Sequence, residues 1–320
     1  MKIISRTPTR LSLAGGGTDI PSYYEKNGGL VLSMAINIYQ QIVMYSDEHI
    51  YESKGHRFPL KANPEFYYKI LDEYKINNGL HLTKLQCDFD GYIESGIGSS
   101  ASAAVALLGA INKRLDLKMS LTDIAETAWK LENKKLGLFG GKQDQYAATF
   151  GGVNLFEFKK DSITTTQLGP TFIEQLLPSL VLFHCGFNRK KTNIQEGFKS
   201  ISSKQKQTLN EIKTLTVATT ESITRGNIQE IGRLFNELWI LKKRSNRGIS
   251  NVAIEDIYTT GKQHGAYGGK ISGSGGGGYI FFIIPPDIRS KFINDMEKEG
   301  LEWWDFSPSF QGLDVRIIEK

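Results

Sequence analysis

The residues with the most evident chemistry are Ser95-Gly-Ile-Gly-Ser-Ser-Ala-Ser102, which run into the apolar, alanine-rich stretch 103–115. Glycines let backbone amides approach an anion, because no Cβ stands in the way. A helix that starts there adds unpaired N–H groups and a partial positive charge, so the stretch can cradle phosphate. It equally suits a small-residue helix packed tightly on a sheet. No window has the Gly-x4-Gly-Lys-Ser/Thr spacing of the commonest phosphate loop. Gly96-x-Gly98-x-x-Ala101 has the spacing of a dinucleotide fingerprint. Its acidic partner would be Asp116, which lies between two helical patterns and not at the end of a second strand, so that reading fails. Gly273-x-Gly275-x-x-Gly278 leads into a strand, not a helix, and fails too. The protein-kinase motifs are absent. The glycine run 273–278 is costly to order, and an apolar strand follows at once. It is best explained by a backbone that passes close to something.

Composition narrows the classes. With 320 residues, 40% hydrophobic and 23% charged, the chain has the make-up of a globular protein of one or two domains. No apolar run approaches the roughly 20 residues that span a bilayer, and Met1-Lys-Ile-Ile-Ser-Arg6 lacks a signal-like apolar core. Cys87 and Cys185 make no disulfide framework, and the five histidines have no metal-ligand spacing. A cytoplasmic protein is expected, without membrane or nucleic-acid partners, as a monomer or homodimer. The net charge of +5 suits an anionic substrate. The basic clusters at 189–191 and 242–247 carry none of the interleaved aromatics that nucleic-acid binding favours.

Positioning elements follow from periodicity and turn residues. Strands are expected over 2–13 (interrupted near Pro8), 30–46 as one or two, 82–92, 153–158, 180–183, 279–284 and 315–318. A hairpin is expected over 49–60. Helices are expected over 22–26, 64–74, 100–115, 120–135, 144–148, 192–200, 203–224, 227–244, 251–264 and 285–298. Ser120, with Asp123 three residues on, reads as an N-cap. Polar residues 159–170 mark a boundary, which gives lobes 1–170 and 171–320 in an α+β fold.

The stretch at 95–102 resembles the nucleotide loop of the GHMP kinases, the small-molecule kinases that include galactokinase, homoserine kinase, mevalonate kinase and phosphomevalonate kinase. Two further motifs match. Pro8-Thr9-Arg10, followed by Gly15-Gly16-Gly17-Thr18-Asp19, resembles the family's first motif. Gly269-Lys-Ile-Ser-Gly-Ser-Gly-Gly-Gly-Gly-Tyr279 resembles its third. The second motif departs from the family form, with Tyr92 at its Pro position and Glu94 at its first Gly position.

The resemblance covers essentially the whole chain. It implies a two-lobed fold with a ribosomal S5 domain 2-like N-terminal lobe and a ferredoxin-like C-terminal lobe carrying extra helices. It implies ATP and Mg²⁺ as cofactors. ATP phosphates would meet Ser95, Gly96, Ile97, Gly98, Ser99, Ser100, Ala101 and Ser102. Ser100 and Glu132 would hold the metal, and Asp144 and Arg10 would act at the reacting hydroxyl. Gly16, Gly17, Thr18, Asp19, Gly141, Gly273, Ser274, Gly275 and Gly276 would line the substrate. Taken singly, each has a plainer reading: Arg10 as a solvent-facing strand residue, Asp19 as a turn residue, Glu132 on a helix surface, Asp144 as a helix cap.

The first motif and Gly140-Gly-Lys-Gln-Asp-Gln-Tyr146 look most like the branch acting on D-glycero-D-manno-heptose 7-phosphate at its anomeric hydroxyl. Lys191, Lys242, Lys243, Arg244 and Arg247 are then candidates for the substrate phosphate, with Lys191, Lys243 and Arg247 put first. The alternatives are a fucokinase- or glucuronokinase-like enzyme acting on a free sugar, and a non-catalytic nucleotide- or sugar-binding relative.

Overall fold

A computed structural model describes residues 2–45, 63–76, 84–187, 196–246 and 248–319. The chain opens with β1 (Lys2–Ala14), α1 (Pro21–Asn27) and β2 (Gly29–Tyr45), then α2 (Pro64–Glu73) and β3 (Lys84–Phe89). Next come α3 (Ser99–Leu115), α4 (Leu121–Lys130), α5 (Gln143–Phe150) and the antiparallel pair β4 (Val153–Phe158) and β5 (Ile163–Gln167). β2 is the spine of this sheet. Its Val, Ile, Leu and Met side chains fit a pleated, covered surface. β1 pairs along one edge of it. The other edge is shared, residues 29–34 pairing with β4 and residues 40–45 with β3.

The second half holds α6 (Pro170–Leu176), β6 (Leu180–His184), α7 (Ser203–Thr224), α8 (Ile228–Ser245) and α9 (Val252–Gln263). After these come β7 (Gly268–Ile271), β8 (Tyr279–Ile283), α10 (Arg289–Lys298) and β9 (Glu302–Trp304). The order β7-β8-β6-β9 forms a second antiparallel sheet. A last strand, β10 (Asp314–Ile318), returns to the first sheet and pairs with β1, Lys2 opposite Ile318.

Each face of the first sheet is buried. Ile3, Ile42 and Met44 pack under α3 and against Tyr67, Ile70 and Leu71 of α2. Leu11, Leu13, Leu32 and Met34 join Leu209 and Ile212 of α7 and Leu182 and Phe281 of the second sheet. The two halves therefore share one core and meet over the ends of β1 and α3.

The α+β, two-lobed arrangement agrees with expectation, and several elements differ. β1 runs unbroken through Pro8, which is accommodated by a register shift between Pro8 and Thr9. β2 is a single strand. The polar stretch 159–170 contains β5, an edge strand whose side chains are partly exposed and so lack an apolar alternation. β7 and β9 are short strands not anticipated. The expected helix 120–135 is divided into α4 and a π-helical turn at Leu131–Lys135. The Ser120–Asp123 capping box forms in both directions. A division after residue 170 falls just inside the start of α6, and β10 crosses back over it. The hairpin expected over 49–60, and residues 192–195 of the helix expected over 192–200, lie outside the described residues, and Glu196–Phe198 form a single 3₁₀ turn. No helix among the described residues is long and apolar enough to cross a membrane.

Candidate active site

The first turn of α3, the loop after β1, the start of α5 and the loop after β7 surround a cavity of about 460 Å³. The plainer reading of α3 holds for its body: Ala103, Ala104 and Ala106 are buried against the first sheet. Its first turn does something else. Gly96, Gly98, Ser99, Ser100 and Ala101 line the cavity, where the unpaired N–H groups of a helix start are open to an anion. The loop assignment narrows at three positions. Ser95 is fully buried and its hydroxyl donates to the Tyr92 carbonyl. Ile97 is in the core, and its carbonyl accepts from the Arg10 N–H. Ser102 faces β1, where its hydroxyl meets Thr7 Oγ1 at 2.8 Å, and its N–H already donates to Gly98.

Arg10, far along β1, is only 3% exposed, contrary to a solvent-facing strand residue. Its Nε donates to Asp144 Oδ1 at 2.7 Å and its Nη1 to the Gly96 carbonyl at 2.7 Å. One guanidinium therefore ties the start of α5 to the phosphate loop, with a charge-assisted pair at the junction. Across the cavity, Glu132 receives Gln145 Nε2 at 2.6 Å, and the Ser100 hydroxyl donates to it as well. Burial pushes the Glu132 carboxyl up to about 7, against those two hydrogen bonds and with Asp144 adding repulsion. The helix-surface reading of Glu132 fails for the same reason: it is 3% exposed.

The loop after β1 holds Asp19 inward. Its carboxylate accepts the N–H groups of Gly17 at 3.0 Å and Gln143 at 3.1 Å. Burial is the main cause that raises its pKa. Gly141 passes so close that a Cβ there would lie 1.8 Å from Asp19 Oδ2. Gly16, Gly17 and Gly141 line the cavity with Asp19. Thr18 does not: its hydroxyl closes the loop, bridging the Gly15 and Leu30 carbonyls and accepting from the Leu30 N–H.

The third glycine run lies against the phosphate loop. Tyr279 donates to the Ser95 carbonyl at 3.0 Å, and Ser272 Oγ to the Gly96 carbonyl at 3.1 Å. Gly273, with φ of +62°, sits where an added Cβ would lie 2.3 Å from the Gly96 oxygen. Gly273 and Ser274 line the cavity, whereas Gly275 and Gly276 pack against Ile249.

Of the basic candidates, Lys191 and Arg247 lie outside the described residues. Lys243 faces away: its ammonium is 2.7 Å from Glu255 and stands over the Trp239 ring. Arg244 pairs with Glu211. Lys242 is the member of this group that lines the cavity, its Nζ donating to the Ile271 and Gly273 carbonyls. Burial pulls its pKa down to about 7, and Arg10 contributes to the same shift. Lys270, behind it, is lowered by burial, Lys242 and Arg10, and donates to the Ser12 carbonyl. Helical phase would have put Lys242 ahead of Lys243. It lies four residues after Leu238 and three after Trp239, on the buried face of α8, while Lys243 falls off that face. Gln143 and Gln145 also line the cavity, together with Glu94, which adopts a left-handed φ of +61°. Phe66, Tyr67 and Leu138 form an apolar wall at the same cavity.

A helix start aimed at an anion, a buried carboxylate beside a serine hydroxyl, and an aspartate paired with an arginine together define a phosphotransferase with an alcohol as acceptor. Comparison with known proteins agrees. Residues 65–152 match the GHMP kinases N terminal domain and residues 219–301 the GHMP kinases C terminal domain. The chain is 31% identical to a D-glycero-alpha-D-manno-heptose 7-phosphate kinase of Campylobacter jejuni, over 98% of each chain. Among solved structures, it is similar to a D-glycero-D-manno-heptose 1-phosphate kinase from Bacteriodes thetaiotaomicron. There the TM-score is 0.77 and the identity 24%, over 99% of this chain and 100% of that one. It shares its fold with the galactokinase of Lactococcus lactis complexed with galactose, with a TM-score of 0.73 and 18% identity over 98% and 95% of the two chains. The chain belongs to the GHMP kinase family, and it is an ATP-dependent kinase.

Proposed function

We propose that the protein transfers the γ-phosphoryl group of ATP to the anomeric hydroxyl of D-glycero-D-manno-heptose 7-phosphate, giving a 1,7-bisphosphate for nucleotide-activated heptose synthesis. The observation that carries this reading is the Arg10–Asp144 pair, seated between the phosphate loop and the Asp19 side of the cavity. The use of ATP fits a cytoplasmic site of action, as do two buried, unpaired cysteines.

In this reading, the first turn of α3 and the backbone at 96–101 take the ATP phosphates, and the apolar wall of Phe66, Tyr67 and Leu138 takes the base. Asp19 and the glycines around it hold sugar hydroxyls. Asp144 accepts a hydrogen bond, or the proton itself, from the anomeric hydroxyl. Arg10 holds Asp144 in place and neutralises charge on the phosphoryl group in flight.

Ser100 and Glu132 fit Mg²⁺. Both are oxygen donors, they adjoin the helix start, and burial disfavours the charge on Glu132 until a cation arrives. No cluster of three or more His, Cys, Asp or Glu suited to an all-protein cage occurs among the described residues, which accords with a metal that completes its shell from phosphates and water. When bound, Mg²⁺ would neutralise charge on the ATP phosphates. Lys242 is the described cation best placed for a second anionic group at the cavity, and we assign it to the phosphate of the sugar.

The test is a phosphoryl-transfer assay with Mg·ATP. D-glycero-D-manno-heptose 7-phosphate is paired with mannose, fucose, galactose and mevalonate, and phosphorus NMR locates the new phosphate. Formation of a 1,7-bisphosphate is expected. Turnover of a free sugar alone would remove the 7-phosphate from the proposal and leave the Arg10, Glu132 and Asp144 assignments standing.

A further inference from the structure

Of the all-glycine stretch 15–17, Gly16 and Gly17 form one wall of the sugar side and offer no side chain to a substrate. Opposite it stands Gln143, the first residue of α5. It is 7% exposed and lines the cavity. Its backbone N–H is committed to Asp19. Its side-chain amide hangs over Gly16: a Cβ added there would lie 3.6 Å from Nε2. The amide oxygen is buried and has no donor among the described residues.

A buried carbonyl oxygen without a donor costs about 1–3 kcal/mol, so its persistence calls for an explanation. No neighbour supplies a donor as the side chains stand: the Ser12 hydroxyl, which would lie 3.0 Å from a Cβ at Gly16, makes no hydrogen bond to the amide oxygen. An ionised Asp19 only accepts, and its two N–H partners are already in use. Gly16 has no side chain. A hydroxyl both donates and accepts, and it satisfies the amide whichever way the amide is turned.

We propose that the side-chain amide of Gln143 reads one hydroxyl of the acceptor sugar and so sets which sugar is phosphorylated. This rests on the sugar-kinase reading above and goes beyond it by naming the group that discriminates among sugars. The hydroxyl read is a different one from that received by Asp144. Asp144 follows Gln143 directly on α5, and successive side chains of a helix point about 100° apart. The glycine loop leaves open the space into which the amide and the sugar fit together, and a side chain at position 16 would occupy it.

The experiment compares wild type, Gln143→Leu and Gln143→Glu in the full chain, with the sugar turned over best in the panel and its singly deoxygenated analogues. Wild type is expected to lose about 10²-fold or more in kcat/KM with one of these analogues, because a site built to hydrogen-bond a hydroxyl rejects the substrate that lacks it. Gln143→Leu is expected to raise the sugar KM at least about tenfold, leave the ATP KM within about twofold, and abolish the penalty at that one position. Gln143→Glu keeps acceptor oxygens and loses the donor. It carries the test if the leucine variant does not fold, with the sugar KM again shifted and the ATP KM unmoved. Deoxygenation penalties that stay unchanged in the variants, or equal losses for sugar and ATP, would overturn the assignment and leave Gln143 as packing. Failure of wild type to phosphorylate any sugar would overturn the functional reading as well, which separates the two.

Discussion

Gly273→Ala tests whether the third glycine run is shaped to fit the phosphate loop. At this position φ is +62°, a left-handed conformation that costs an L-residue about 1–2 kcal/mol. The new Cβ would also lie 2.3 Å from the Gly96 oxygen and 2.6 Å from its Cα, both backbone atoms that have no rotamer to change. Restoring ordinary contact moves the loop by roughly 1 Å, a misplacement that can cost about 10²-fold in rate. Gly137 supplies the control. Its φ is +67°, and nothing lies within 4 Å of an added Cβ, so Gly137→Ala carries the backbone strain alone. Gly137→Ala should lose about 1–2 kcal/mol of stability in thermal or urea unfolding, and Gly273→Ala more than that. Steady-state kinetics should show kcat/KM for ATP about 10²-fold down in Gly273→Ala and within about twofold of wild type in Gly137→Ala. Equal kinetics in the two variants would refute the argument, since the contact with Gly96 is what separates them.

Asp144→Asn should lower kcat by about 10²–10⁴-fold and leave the ATP dissociation constant within about threefold, as measured by calorimetry. Lys242→Met should raise the KM of a phosphate-bearing sugar about 10-fold or more and spare that of an unphosphorylated one, the scale of a lost charge-assisted hydrogen bond. Equal effects on both sugars would remove Lys242 from the phosphate site. Glu132→Gln should uncouple stability from activity. The wild-type carboxyl titrates near 7 in the fold and near 4.5 in a model chain. The folded state therefore binds more protons between those values, and stability falls as pH rises through that window. The full cost above it is on the order of 3 kcal/mol. In chelator at pH 8 the variant should unfold at a higher temperature than wild type, and the difference should close towards pH 4.5. The same variant should lose Mg²⁺-dependent turnover.

The glycine motifs were legible because their residue types have few other uses. A run such as 273–278 followed by an apolar strand could only lie against something, and it packs on Gly96 and Ile249. Helices α7, α8 and α9 were legible because long amphipathic patterns with polar caps leave little choice. The short strands were not. β5 is a Thr-rich edge, β7 begins with two glycines, and β9 has three residues, so none shows enough alternation to stand out. At the site, it was the resemblance to the GHMP kinases, not residue type alone, that pointed to Arg10, Asp19, Glu132 and Asp144, which the fold brings to one cavity. Choosing Lys243 over Lys242 reflects charge counted without helical phase. The narrowing at Ser95 and Ser102 has a different cause. Their hydroxyls satisfy buried backbone, a demand set by tertiary neighbours that a local motif does not display.

The return of β10 to β1 has a consequence for synthesis on the ribosome. β1 leaves the exit tunnel long before β10, and one of its edges keeps unpaired N–H and C=O groups until residues 314–318 arrive, some three hundred residues later. During that interval the nascent first lobe carries an open sheet edge, the kind that templates pairing with a neighbouring chain. A fragment ending near residue 170 would be held permanently in that exposed state. Supplying the last strand as a separate peptide should close that edge, while the face of Leu11, Leu13, Leu32 and Met34 that the second half covers would stay open.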